Sequence, residues 1–378
     1  MTRNPRDRWS LAGRLARRLV DPPRPLLERI VGAPPVVVEG RVLDRRVQAL
    51  LARTHLDPDS ELADIDAARR SLVRWAGVLL PRRTGVLAVD RVADGRAGDI
   101  PVRVYRRLGT TGDRPGIVHL HGGSWAKGDL DSADRWCRIA ADVTGCVIVS
   151  VHYRRPPEDV FPAAVHDAID AYGWVHAHAC ELGVVEGQVA VMGESAGGNL
   201  AAVVAQQAAA TGLVPPIAQA LVCPALDLRM VLPSIATFGA GFGLEHAAMA
   251  RYRGTYVPDP DDWTSPLASP LLAEDVTGLP PTLVVTAGFD PLVDDGRTYA
   301  DRLRDAGVRT RYRCYDSMVH GFVSMGILPE GVAVTEEVAA MVGALVSDSI
   351  DPADRPDRSD LLPPPDGERT VGQGVQRT

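Results

Sequence analysis

The chain has little of what would direct it toward nucleic acid, zinc or the membrane interior. It has a single lysine, Lys127, and its 41 basic residues are outnumbered by 48 acidic ones, for a formal net charge of −7. Nucleic-acid binding needs clustered basic surface that releases phosphate counterions, so nucleic acid is not an expected partner. The five cysteines, Cys137, Cys146, Cys180, Cys223 and Cys314, are odd in number and scattered, with no CxxC or Cys/His spacing of the kind zinc requires. They read as free thiols buried in a reducing compartment. No stretch reaches the ~18 apolar residues of a membrane span. Met1–Val20 is rich in arginine but lacks the apolar core and small-residue cleavage site of a secretory signal. A cytoplasmic location is therefore expected, with any membrane contact peripheral.

What remains is an ordinary globular composition, 46% hydrophobic and 24% charged over 378 residues, enough to bury a large core. Between Trp9 and Val20, Trp9, Ala12, Leu15, Ala16 and Leu19 recur at helical spacing, opposite Arg14, Arg17 and Arg18. This predicts an amphipathic helix with a basic face. Pro22, Pro23 and Pro25 interrupt it, and Val42–Arg53 and Ile65–Leu80 read as two further helices. Residues 1–84 thus form a helical segment without a chemical motif.

From residue 85 to 346, short apolar runs alternate with helical stretches, the pattern of strand–helix units and a mostly parallel sheet flanked by helices. Val86–Val92 and Ile100–Arg106 predict an opening antiparallel pair. Gly116–Leu120, Cys146–Val151, Gln188–Met192, Ala218–Cys223, Thr282–Thr286 and Thr310–Tyr315 follow as buried strands. Helices are expected near Ser132–Thr144, Pro162–Leu182, Gly197–Thr211, Asp294–Ala306 and Glu336–Val346. Residues 225–274 break the alternation and read as an insertion, with a helix near Glu245–Tyr256. Residues 347–378, almost without apolar side chains after Leu362, read as a disordered tail.

The chemistry is concentrated in four short segments. Gly193-Glu194-Ser195-Ala196-Gly197-Gly198 lies between an apolar run and an alanine-rich helical run, which is the strand–turn–helix setting of a GxSxG nucleophile elbow. A serine hydroxyl needs a base oriented by a carboxylate, and in this arrangement the partners follow in the order Ser, Asp or Glu, His. Asp290 follows the strand Thr282–Thr286 and His320 follows Thr310–Tyr315, so Ser195, Asp290 and His320 are the candidate catalytic residues. Asp294, Asp295 and Asp316 are rivals for the acid, and the chain has nine histidines. His121-Gly122-Gly123-Ser124-Trp125 supplies unobstructed backbone N–H groups for an oxyanion. The amides of Gly122, Gly123 and Ser124 are expected to join that of Ala196. His121 reads as part of that loop's scaffold, and Glu194 as structural.

These segments together resemble the hormone-sensitive-lipase-like family of α/β-hydrolases. The resemblance covers about Val86–Val346 and extends to Tyr153-Arg154, Pro157-Glu158 and Phe161-Pro162-Ala163-Ala164. It implies the α/β-hydrolase fold, a Ser/Asp/His triad, no metal, no organic cofactor, and ester substrates of short or medium acyl chain. It also implies a helical cap built from the N-terminal helices and the insertion. Two departures stand out: Ser124 replaces a third glycine, and Arg155-Pro156 replaces a commoner Leu-Ala pair, which bears on the pocket wall.

The expected protein is therefore a carboxylic-ester hydrolase acting on a small-molecule or lipid ester through an acyl-enzyme. Amide hydrolysis uses the same chemistry and stays open. A ligand-binding receptor on this fold is disfavoured by the intact Ser195, Asp290 and His320. Trp9, Leu15, Leu19, Phe238, Phe242, Tyr252 and Tyr256 are expected to roof the acyl pocket, with membrane-surface contact as the rival role of the N-terminal helix.

Overall fold

The structure, a computed structural model, describes residues 7–20, 22–52, 64–328 and 330–350. An eight-stranded sheet runs through its centre. Its strands are β1 (Val86–Gly95), β2 (Gly98–Arg107), β3 (Arg114–Leu120), β4 (Val147–Val151), β5 (Val184–Glu194), β6 (Gln219–Val222), β7 (Thr282–Phe289) and β8 (Thr310–Val319). They lie in the order β1-β2-β4-β3-β5-β6-β7-β8. The β1–β2 and β2–β4 pairs are antiparallel and all others parallel, so the expected opening hairpin and mostly parallel sheet are both present. Every residue of β3 and β4 is buried, which is why both strands are mostly apolar on both faces, with only Arg114, His119 and Ser150 as buried polar side chains.

Among the described residues twelve α-helices accompany the sheet: α1 (Leu11–Val20), α2 (Arg24–Val31), α3 (Arg45–Leu51), α4 (Ile65–Leu79), α5 (Leu130–Thr144), α6 (Ala163–Ala177), α7 (Ala179–Leu182), α8 (Ala196–Gln207), α9 (Pro233–Phe238), α10 (His246–Tyr256), α11 (Val293–Asp305) and α12 (Gly331–Asp348). Local chemistry explains where they depart from the expected bounds. Helix α5 starts earlier than Ser132 because Asp129 accepts the Ser132 N–H at 2.7 Å while Ser132 Oγ accepts the Asp129 N–H at 2.8 Å, a reciprocal cap. The prolines expected only to interrupt also begin α2, since Pro25 sits in its first turn, where a missing N–H costs nothing. Asp44 accepts the N–H groups of Arg46 and Val47 and so starts α3 inside the helix expected from Val42.

The N-terminal segment is tied to the sheet domain through a buried arginine. Arg83 is paired with Asp7, Asp142 and Glu336, and the Arg83–Asp142 contact measures 2.7 Å with both side chains 1% exposed. In α1, Ala16 packs with the preceding Trp9 into a cluster that includes Phe238, Phe242, Phe289 and Met325. Leu11 and Leu15 face outward at 66% and 52% exposure, so the helix does not bury its whole apolar stripe. At the other end, α12 runs past Val346 and Ile350 is buried, which moves the ordered boundary into the segment expected to be disordered. Residues 351–378 of that segment lie outside the described residues.

The strand order places the chemistry. β3 pairs directly with β5, so the loop after β3 meets the turn after β5, and the chain leaves β3 toward β4 on one side and β5 toward β6 on the other. A crevice at the C-terminal edge of the sheet results, with the loops after β7 and β8 beside it.

Candidate active site

Ser195 sits in the turn from β5 to α8 with φ 57° and ψ −120°, a left-handed conformation that an ordinary residue adopts only under constraint. The constraint is close packing: a Cβ on Gly193 would stand 2.0 Å from the Gly197 carbonyl oxygen, and one on Gly197 would stand 1.9 Å from that of Leu120. The two glycines thus let strand, helix and β3 approach and push the serine outward. The Ser195 N–H donates to the Val222 carbonyl at 2.8 Å, anchoring the turn to β6.

His320 stands 3.0 Å from Ser195 Oγ through Nε2 and 2.8 Å from Asp290 Oδ2 through Nδ1. Asp290 is fully buried, and its other oxygen accepts the Leu292 N–H at 2.9 Å. The rivals for the acid are engaged elsewhere. Asp294 accepts the Ser234 N–H, Asp295 accepts those of Leu226 and Asp227, and Asp316 is largely exposed near Arg41. Glu194 lies beside His320 and Gly321; burial pushes its carboxyl pKa up, with His320 pulling it partly back.

The loop after β3 brings Gly122, Gly123 and Ser124 against the elbow. A Cβ on Gly122 would lie 3.0 Å from the Glu194 carbonyl oxygen and 3.4 Å from Ser195 Cβ. Gly123 and Ser124 take φ of 116° and 53°. Among the described residues, the N–H groups of Gly122, Gly123, Ser124 and Ala196 donate to no protein acceptor. His121 is buried, donates from Nδ1 to the Gly122 carbonyl at 3.0 Å and stacks on Tyr153 at 4.1 Å. Burial lowers its pKa well below the ordinary value, so it stays neutral as loop scaffold, in keeping with its expected role.

Arg155 is not a pocket-wall residue. Its guanidinium donates to the carbonyls of Lys127 and Gly128, while Arg69 on α4 donates to the Ala126 carbonyl at 2.9 Å and to that of Pro156 at 2.9 Å. Arg69 is itself held by two 2.7 Å bonds to Glu158. Two arginines therefore brace the far side of the glycine loop. Spacing could not show this, because the partners are main-chain carbonyls distant in sequence.

The cleft beside Ser195, about 410 Å³ with its open mouth, is lined by Ser124, Trp125, Ala225, Asp227, Leu228, Met230, Leu244, Met249 and Leu292. Most of these come from the insertion after β6. None of the aromatics expected as a roof is among these lining residues. Tyr256 stacks on Trp125 at 4.7 Å, Lys127 sits over the Tyr252 ring, and Phe238 and Phe242 pack on Phe289. Asn199, which the sequence reading passed over, is fully buried and donates to the carbonyls of Ala225 and Ala268, fastening both ends of the insertion to α8.

Ligand atoms of Cys223, Asp290 and His320 lie within 4.8 Å of one another. They fit a metal poorly. His320 and Asp290 already bond each other, and burial beside Asp290 drives the Cys223 thiol well above its ordinary pKa, away from the thiolate a metal would take.

Comparisons with known proteins identify the family. A family profile described as the α/β-hydrolase fold matches residues 117–324. The carboxylic ester hydrolase LipN of Mycobacterium tuberculosis is 38% identical over 322 residues, 82% of this chain and 85% of the relative. The arylesterase of Saccharolobus solfataricus is 36% identical over 251 residues, 66% of this chain and 79% of the relative. Among solved structures, the Pyrobaculum calidifontis esterase superposes with a TM-score of 0.73 at 36% identity, covering 81% of this chain and 98% of that one. A thermostable esterase from Pseudomonas putida gives 0.78 at 30% identity, covering 85% and 99%. The chain belongs to the hormone-sensitive-lipase-like family of α/β-hydrolases. Within that family it is a serine carboxylesterase.

Proposed function

We propose that the enzyme cleaves esters by way of a Ser195 acyl-enzyme, with His320 as base and then acid and Asp290 as the carboxylate that orients it. The observation that carries the reading is the unbroken chain Ser195 Oγ, His320 and Asp290 at 3.0 and 2.8 Å. His320 takes the hydroxyl proton as Ser195 attacks. The resulting oxyanion is met by the otherwise unengaged amides of Gly122, Gly123, Ser124 and Ala196. Protonated His320 then gives its proton to the departing alcohol, and water repeats the sequence on the acyl-enzyme. The ester oxygen leaves more readily than an amide nitrogen, and the relatives are named for ester hydrolysis, so amide cleavage is the minor activity in this reading.

The apolar lining of the cleft, with Leu228, Met230, Leu244, Met249 and Leu292, supports an acyl group as the part of the ester it holds, and short to medium chains are the length this reading takes. Rates on nitrophenyl esters from acetate to palmitate, with a nitroanilide as amide control, test both statements. A maximum at palmitate, or faster cleavage of the anilide, overturns them.

A second reading concerns α1. Its outward Leu11 and Leu15, with exposed Arg14 between them, favour peripheral contact with an anionic lipid surface. Leu11→Ser with Leu15→Ser tests it. Co-sedimentation with phosphatidylglycerol vesicles is lost while rates on soluble esters hold; unchanged co-sedimentation removes the reading.

A further inference from the structure

Ser124 occupies a position that backbone geometry would give to glycine. Its φ of 53° lies in the left-handed region, where a side chain is strained and glycine is not. Among the described residues its hydroxyl has no hydrogen-bond partner, and the residue is half-buried in the wall of the cleft that contains Ser195. The rest of that wall is apolar apart from Ser195 and Asp227. The Asp227 carboxylate is already taken by Arg229, with Nη2 at 2.7 Å and Nε at 2.9 Å. Ser124 Oγ is thus an uncommitted polar side chain beside the nucleophile, placed where it strains the loop.

A serine amide and its own hydroxyl are separated only by Cα and Cβ, so one staggered χ1 aims both donors at a single acceptor. We propose that Ser124 is a further catalytic residue, its hydroxyl donating to the substrate carbonyl oxygen as that oxygen becomes negative, alongside its own amide. This rests on the acyl-enzyme reading above. It explains a residue that the fold does not need, because a donor that strengthens as charge develops acts on the transition state more than on bound ester. No bond is made or broken by Ser124; it keeps its proton throughout.

Two variants test it, measured beside Ser195→Ala on nitrophenyl acetate and butyrate. Ser124→Gly removes the hydroxyl, keeps the amide and relaxes the backbone; Ser124→Ala removes the hydroxyl and keeps the strain. Both are expected to lower kcat roughly 10- to 100-fold with KM within about twofold, although Ser124→Gly melts no lower than the parent. Affinity for a trifluoromethyl ketone, whose adduct carries the same oxyanion, falls by the same factor as kcat/KM. Ser124→Gly at or above parental kcat overturns the proposal, as does a rise in KM with kcat unchanged. Activity retained by Ser195→Ala marks instead a failure of the acyl-enzyme reading itself.

Discussion

His320 Nδ1 lies 2.8 Å from Asp290 Oδ2, and the three nearby aspartates that compete for the same role in the sequence are each turned to another partner. Asp290→Asn is expected to lower kcat roughly 10⁴-fold by favouring the wrong imidazole tautomer. Asp294→Asn and Asp316→Asn stay within about tenfold of the parent on the same ester. Greater damage from either of those two would move the acid away from Asp290.

Gly128 is expected to matter to catalysis without touching substrate. A Cβ there would stand 2.0 Å from the Gly122 carbonyl oxygen and 2.2 Å from His121 Nδ1. Gly128→Ala must displace the amide-bearing turn, and a shift of that kind costs on the order of 100-fold in kcat. Steady-state kinetics with a melting curve check it; a variant with parental kcat shows that the turn tolerates the shift.

Arg155→Met keeps the length of the side chain and removes its donors. Two carbonyls of the glycine loop lose their partner, and kcat is expected to fall roughly tenfold with little change in KM, since the loss is in the placing of oxyanion donors. If Arg155 were instead a pocket-wall residue, the same variant would alter acyl-chain preference and leave kcat on acetate intact.

Asp295 carries the pH prediction. Burial is the leading cause that raises its pKa to about 8, against the lowering effect of the Leu226 and Asp227 amides. The folded state therefore holds a proton that the unfolded chain releases near the ordinary carboxyl range, so stability falls as pH rises from about 4 to about 8. Asp295→Asn has no proton to hold and keeps an oxygen for the two amides. Its melting temperature should drop less than the parent's between pH 5 and pH 8; parallel curves would show that Asp295 ionises freely in the folded protein.

The parts of the site that were legible in the sequence are those in which one residue type must stand next to a particular turn. The glycines around Ser195 are demanded by main-chain approach, and Asp290 and His320 follow the strands that carry them. Fold class was legible for the same reason: short runs in which apolar residues fill both faces, such as Val147-Ile148-Val149, arise where both faces of a strand are covered. Less legible was whatever depends on where loops settle. Arg155 bears on the pocket wall only as a departure from the family's commoner pair, whereas its partners are carbonyls of residues 127 and 128. The aromatic residues of the insertion are expected in the roof because the insertion is rich in them, whereas Leu244 and Met249 line the cleft and Tyr252 lies under Lys127. Hydrophobic patterning says that a side chain is covered, not by what.

Arg69 belongs to α4, in the N-terminal segment, and yet it holds the same glycine loop that faces the nucleophile. Seating the segment and ordering the loop are therefore linked equilibria. By reciprocity, whatever tightens one must tighten the other by an equal free energy. A tetrahedral adduct at Ser195 would then slow amide exchange in α4, although the adduct itself never reaches that helix, and loosening α4 would weaken the adduct to the same degree. The N-terminal segment would in that way set the affinity of the site for the charged state of its substrate without contributing an atom to the cleft.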